Sequence, residues 1–355
     1  MNAPVAMNHM VTLADLYDSR VAERIEGFVA EQRASLFHRP AWLRAVELGT
    51  GQRASGLICE RLGVITGWLP ITQVRSALFG NALVSSGFGV GGGIAAESEE
   101  ATTALSNAAQ DYAAANGFAS MELRGGLVPA GEGWQRSDHK HCGFVRDLAE
   151  DDEAQLMAIP RKARAEVRKG LKNYLPMRVG RSHDDLRAHY AAYSESLRNL
   201  GTPVFPAKLF RAMLETFPDD SDILTVFHDG LPIASVLNFY HNGAVMPFWG
   251  GGGFAARNAR ANELMYYELM LHARRKGMTQ FDFGRSKTDS GPYKFKKNWG
   301  FEPKPLVYAS WTAPDHPPRD IDPTSEAYSR KIELWKKLPL PIANTIGPWI
   351  ARGLA

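Results

Sequence analysis

The stretch from Phe281 to Phe301 (FDFGRSKTDSGPYKFKKNWGF) gathers the side chains best suited to chemistry. Asp282 and Arg285 close a short apolar strand, a Ser/Gly/Pro turn follows, and Tyr293, Lys294, Phe295, Lys296 and Lys297 lie on a short helix. Polar groups at a strand end beside a loop stand where α/β proteins collect their reactive residues. Positive charge fixed there stabilises an oxyanion or a phosphate. Asp282 reads more readily as an orienter of Arg285 than as a proton acceptor, and Tyr293 as a proton relay. The alternative is a solvated basic turn anchored by Phe295, Trp299 and Phe301.

A second candidate is Gly250–Asn262 (GGGGFAARNARAN). Glycine-rich backbone running into a helix start presents unpaired N–H groups, a ready anion site. Gly251, Gly252, Arg257, Arg260 and Asn262 are therefore expected to hold a donor's phosphates. The third is Ile159–Lys172 (IPRKARAEVRKGLK). At about 100° per residue, Arg161, Arg164, Arg168 and Lys172 share one face, and Ala163, Val167 and Leu171 another. With Glu166 as the one acid, self-neutralisation is poor. A polyanion such as tRNA, a diphosphate-linked precursor or an anionic lipid surface is the expected counter-charge.

Other chemistries are poorly served. His139 and His141 stand two apart, but no H-E-x-x-H pattern occurs, so no metal site is expected. No G-x-S-x-G elbow is present. Cys59 and Cys142 are too few for a disulfide framework and read as packing residues in a reducing compartment. The net charge of +3 is too small for a general nucleic-acid binder. The start has no leader pattern and no run approaches the roughly 20 apolar residues of a membrane span. A cytoplasmic, soluble protein is expected, and its oligomeric state is left open.

These groups must be held by elements that occur twice. Leu57–Arg124 reads as three strands, the glycines Gly91–Gly93, a helix stopped at Gly117 and a last strand. Leu224–Arg285 repeats this, with Asp229-Gly230 and Asn242-Gly243 as hairpin turns, a helix from about Asn262 to Lys276 stopped by Gly277, and the strand Phe281–Phe283. Gly91–Gly93 match Gly251–Gly253, and Glu122 matches Asp282. PAWLRAV at Pro40 and AKLFRAM at Ala207 open the two copies. Duplication explains this better than chance. The 355 residues divide into a first unit at 1–149, a basic linker helix with a second unit at 150–315, and a tail at 316–355 that packs back on the core. The first copy has Ile94 to Glu97 where the second has arginines, so it reads as a weaker anion site with a structural or acceptor-binding role.

Meander, glycine loop, helix and strand is the order of the N-acetyltransferase (GNAT) core. The fold class is thus α/β (α+β): two tandem GNAT-type units, each a mixed, largely antiparallel sheet flanked by helices. The sequence resembles the FemAB-related tandem-GNAT transferases, in particular the branch with BioF2-like domains found with exosortase/PEP-CTERM exopolysaccharide systems. FHRPAWLRAV, IPRKARAEVRKGLK, GTPVFPAKLFRAML and FDFGRSKTDSGPYKFKKNWGFEPKPLVY carry that resemblance over most of residues 25–310. It implies Phe295-Lys296 as the family's Phe-Lys pair and Lys296 as the leading site residue. It also implies amide formation on an envelope precursor related to peptidoglycan, since Fem enzymes move an aminoacyl group from aminoacyl-tRNA to an amine. The long helical hairpin some Fem proteins use for tRNA has no room in 150–200, and Arg257–Asn262 lacks the glycines of R/Q-x-x-G-x-G/A.

Three functions follow as expectations. The first is an N-acyl or aminoacyltransferase, with no tightly bound cofactor and aminoacyl-tRNA or acyl-CoA as donor. The second is an acyl-CoA-dependent enzyme acting on an amino sugar of an exopolysaccharide, and the third a silent binding module for an anionic glycan or lipid-linked precursor. The tail from Leu334 to Trp349 is too short and Pro-broken to span a membrane, yet suits a peripheral contact at the inner membrane face. Docking on the protein's own core is an equal alternative.

Overall fold

Turn and cap chemistry sets the elements before packing does. The computed structural model describes residues 9–131, 133–317, 319 and 326–354. The start of the chain that bears on a leader, residues 1–8, and part of the expected tail lie outside the described residues.

In the first sheet, β1 (Met10–Leu13) leads into α1 (Ser19–Glu31) and α2 (Pro40–Thr50), with Pro40 at the helix start. There follow β2 (Arg53–Arg61), β3 (Val64–Val74), β4 (Ala82–Ser85), β5 (Ala95–Ala96), α3 (Glu99–Ala115), β6 (Ser120–Arg124) and β7 (Trp134–Ser137). The second sheet begins with β8 (His141–Asp147), then α4 (Asp152–Ala158), α5 (Arg161–Lys172), β9 (Met177–Gly180), α6 (His183–Leu200) and α7 (Ala207–Thr216). Its centre is β10 (Ser221–His228), β11 (Leu231–His241), β12 (Ala244–Gly252), α8 (Phe254–Ala259), α9 (Ala261–Arg275), β13 (Gln280–Lys287), α10 (Gly291–Asn298) and β14 (Lys304–Pro305). β15 (Tyr308–Thr312) belongs to the first sheet, and α11 (Glu326–Lys336) and α12 (Leu340–Ala351) follow.

The strand orders are β1-β2-β3-β4-β6-β15-β7, with β5 on β3, and β14-β8-β13-β12-β11-β10-β9. Each sheet is antiparallel apart from one junction, β4 with β6 and β12 with β13. A helix crosses over at both junctions, as parallel neighbours require. Both units are therefore mixed, largely antiparallel sheets flanked by helices. Contacts divide the chain differently from a linear cut at 149 and 315. The first unit holds residues up to Asp138 with 307–319 and 352–354, and the second holds 139–306 with 326–351. The reason is strand pairing, since β8 joins β13 and β15 joins β6 across long sequence separations.

In the second unit both hairpin turns place their residues at positive φ, Asp229 and Gly230 at 49° and 76°, Asn242 and Gly243 at 48° and 79°. Such a pair matches the twist of the strands it joins. The sheet is covered on both faces. Val236 joins Leu264 and Met265 of α9 in one core cluster. Its neighbour Ser235 faces the other way and bonds His189 of α6, because successive strand residues point to opposite faces. α6 is started by a capping box of Ser182 and Asp185.

Candidate active site

β12 and β13 share two register pairs, Ala244 with Gln280 and Val245 with Phe281. Beyond these, β12 runs to Gly252 and β13 to Lys287 without a further pair. Irregularities accompany the parting. β12 carries an extra residue, Phe248, between its pairings with Leu237 and Asn238. β13 skips from Asp282 to Arg285 against β8, with Gly284 at φ +67°. Peptide groups directed from one strand toward the other lack a ladder partner along this stretch, and such groups require partners elsewhere. The result is a slot edged by peptide donors and acceptors, suited to an extended ligand that carries amides.

Two phenols lie on opposite faces of the sheet, one on α6 and one on α9. Tyr193 of α6 stacks on His189 at 5.4 Å and meets Phe210 edge-on at 5.6 Å. Tyr266 of α9 packs on Phe283 at 4.7 Å and Phe295 at 5.9 Å. Burial raises the pKa of Tyr193 well above the ordinary phenol value. Tyr266 is pushed up to about 12 by burial, then by Glu263. Both are protonated donors at neutral pH. His189 is fully buried, and burial lowers its pKa to about 3. Its Nδ1 meets Ser235 Oγ at 3.1 Å, while Nε2 is buried without a partner.

Lys296 lies over β13 and its other neighbour, β8. Ser290 caps α10, its hydroxyl accepting from the Tyr293 N–H at 3.3 Å, and Pro292 lies in the first turn. One helical turn then carries Lys296 inward, 8% exposed. Its Nζ donates to the carbonyls of Gly284 at 3.2 Å and Arg285 at 3.0 Å, and stands 5.3 Å from the Phe144 ring and 5.5 Å from that of Phe283. Burial pulls its pKa down to about 8 against the opposing pull of Asp282. An ammonium has three donors. Two of them hold the β13 bulge. Asp282 accepts from the Gly284 N–H at 2.8 Å, and burial raises its pKa against the field of Lys296. Arg285 is half-buried beside it. Tyr293 is half-buried and edge-on to Phe144 at 5.5 Å. Lys296, Asp282, Arg285 and Tyr293 are thus brought together, whereas Lys294 and Lys297 face solvent.

The glycine run closes on side chains of α6. A Cβ added to Gly251 would meet Ser196, and one on Gly253 would stand 2.7 Å from Oε2 of Glu195. Gly252 faces Ala256 and the Asn262 side chain. Gly251, Gly252 and Asn262 are therefore gathered, with a carboxylate nearby. Arg257 is exposed and its guanidinium lies 5.4 Å from the Phe254 ring centre. Arg260, at φ +55°, ends α8 and starts α9. It pairs with Glu166 at 2.6 Å and donates to the Arg257 carbonyl at 2.9 Å. Glu166 also holds Lys169 at 2.7 Å. On α5, Arg161, Arg168 and Lys172 are exposed, while Arg164 turns back to the Met157 carbonyl at 3.0 Å.

Tyr193, Tyr266, His189 and Glu195 were not among the residues singled out in the sequence. The available signal was the aromatic spacing of His189, Tyr190 and Tyr193 on one helix face. In the first unit the matching junction pairs Leu83 with Met121 and Val84 with Glu122. Its loop is tied down by side chains. Arg124, 5% exposed, bonds Glu122 at 2.5 Å and the Gly89 carbonyl at 3.1 Å, and His38 Nε2 meets the Gly93 carbonyl at 2.9 Å. Among the described residues, no three His, Cys, Asp or Glu side chains are grouped to hold a metal, and both cysteines are buried thiols.

Residues 161–297 match the family model described as an acetyltransferase (GNAT) domain. Among solved structures the chain is similar to FemX, with 16% identity over 81% of this chain and 95% of that one, TM-score 0.63. It is also similar to a tandem GNAT protein from the clavulanic acid biosynthesis pathway, with 12% identity over 87% and 100% of the two chains, TM-score 0.57. A third likeness is to L-PGS from Bacillus licheniformis, with 12% identity over 83% and 92%, TM-score 0.52. At these identities the likeness is one of fold. No curated protein matches the sequence. Residues 161–297 are thus similar to a GNAT acetyltransferase domain, and the chain shares the fold of tandem GNAT structures.

Proposed function

We propose that this protein is an N-acyl or aminoacyltransferase of Fem type, forming an amide on an amine of a cell-envelope or exopolysaccharide precursor at the inner face of the membrane. The observation that carries this reading is the parting of β12 from β13 together with the buried Lys296 held on β13, inside the residues matched to an acetyltransferase domain. Unpaired peptide edges suit the amides of an extended donor, and the acyl carbonyl then comes to rest beside Lys296. The amine attacks that carbonyl, and the oxyanion formed takes the third N–H of Lys296, strongest in the transition state. Collapse expels the donor's oxygen or sulfur. The proton lost by the amine passes to that leaving atom through Tyr293, or through Tyr266 where the acceptor enters from the α9 face. Asp282 and Arg285 hold the bulge on which Lys296 rests. Holding both reactants in line supplies much of the acceleration.

Two donors remain in play. Acyl-CoA is favoured by the acetyltransferase domain matched at residues 161–297. Aminoacyl-tRNA is favoured by the exposed basic face of Arg161, Arg168 and Lys172. Thermal stabilisation by CoA against tRNA, followed by transfer of labelled acyl and aminoacyl groups to envelope extracts, separates them. A protein that neither binds nor consumes either donor would sink the transferase reading.

A further inference from the structure

The helix α12 (LPIANTIGPWIA) is packed inside out. Its buried residues are the small ones, Ala343, Gly347 and Ala351, seated on α6 where Asn344 donates to Ser194 Oγ at 3.2 Å. A side chain at Gly347 would press on Val204, so the seating cannot roll. The large apolar residues face out: Ile342 is 48% exposed, Ile346 41% and Trp349 54%. At 100° per residue they form one stripe. Burying Ile and Trp is worth far more than burying Ala and Gly, so a helix with this phase in water alone forgoes its main source of stability. On neighbouring α11, Leu334 is 67% exposed in a shallow groove with Arg330, Glu333 and Lys337. From Arg330 onward there are five basic residues, Arg330, Lys331, Lys336, Lys337 and Arg352, against the single acid Glu333.

We infer that the outer face of α11 and α12 is a docking surface for an anionic membrane. Charge complementarity selects the occupant: large aliphatics and a tryptophan flanked by lysines suit the boundary between anionic headgroups and acyl chains. The stripe is too short to span and lies flat on the leaflet. This rests on residues separate from the β12/β13 slot, so it stands or falls apart from the transferase reading.

The full chain is sedimented with vesicles of phosphatidylcholine, with and without phosphatidylglycerol, over a range of salt. Binding is expected to the anionic vesicles and to weaken as salt rises. Ile346→Ser with Trp349→Ser should cut partition about tenfold or more. Lys337→Gln should cut it about fivefold, with thermal stability and circular dichroism unchanged because Ile346, Trp349 and Lys337 are exposed. Absent binding, or equal binding to neutral vesicles, overturns the inference. So does a native dimer on light scattering that the Ile346/Trp349 change converts to monomer, since the stripe would then be a protein interface.

Discussion

Replacing Lys296 by Met separates chemistry from architecture, because the two make opposite forecasts. The folded protein holds this amine near pKa 8, against an ordinary 10.5, so carrying its charge inside costs about 3 kcal/mol. Met keeps the length and contacts of the side chain but leaves the carbonyls of Gly284 and Arg285 without their donor, a loss of about 1 to 2 kcal/mol in all. The variant is therefore expected to be more stable than the wild type at pH 7, by about 1 to 2 kcal/mol. Its advantage must depend on pH with a definite sign. A lysine with a depressed folded pKa binds fewer protons folded than unfolded between pH 8 and 10.5, so wild-type stability rises with pH across that window. By pH 9.5 the advantage shrinks by about 2 kcal/mol and nearly closes. Urea unfolding of both proteins at pH 7 and 9.5 reads this directly. Transfer activity should fall about 100-fold to 1,000-fold, the usual cost of losing one oxyanion donor. A Met variant less stable at pH 7, with a gap that does not move with pH, would refute the buried-charge reasoning. One with unchanged activity would remove Lys296 from the chemistry.

Other substitutions test the rest of the slot. Tyr293→Phe and Tyr266→Phe should each lower kcat about tenfold to 100-fold while stability stays within about 1 kcal/mol; a kcat equal to wild type in both would remove the phenols from the mechanism. Gly253→Ala drives a methyl into the Glu195 carboxylate and should cost about 1 to 3 kcal/mol in urea unfolding, with Glu195→Ala restoring it. Glu195→Gln alone should tighten a phosphate-bearing donor in a thermal-shift titration if the Gly251–Asn262 segment cradles phosphate. Asp222 is buried and accepts from Tyr240 at 2.7 Å, Asn238 at 3.0 Å and His272 at 3.1 Å. Burial pushes its pKa up, yet these hydrogen bonds outweigh it and hold the carboxyl below the ordinary range. Its stabilising contribution is thus complete above the unfolded carboxylate pKa and lost as pH falls through the folded one. Asp222→Asn should cost about 2 to 4 kcal/mol at pH 7 and show a flatter acid limb.

The frame of the second unit was readable because its signals are local. Asp229-Gly230 and Asn242-Gly243 demand positive φ, Gly277 stops α9, and the period of α5 buries Ala163 and Val167. What was not readable depends on pairing across distance. No property of residues 141–147 announces that they lie against 280–287, so a cut at 149 assigns them by position in the chain. The same blindness hides the slot, since Ala244–Gly252 and Gln280–Lys287 each read as complete strands and only their register shows where they part. Lys296 lies between the two cases. In a run with Lys294 and Lys297 it looks solvated, yet it stands one residue from Phe295 and three from Trp299, on the side of α10 that turns toward β13. A short helix that buries Trp299 must bring Lys296 partly inward, and the carbonyls freed by the Gly284 bulge make that burial tolerable. The bulge and the buried amine are therefore one arrangement: the sheet gives up ladder pairs with β8 at Gly284, and the carbonyls of Gly284 and Arg285 hold the lysine.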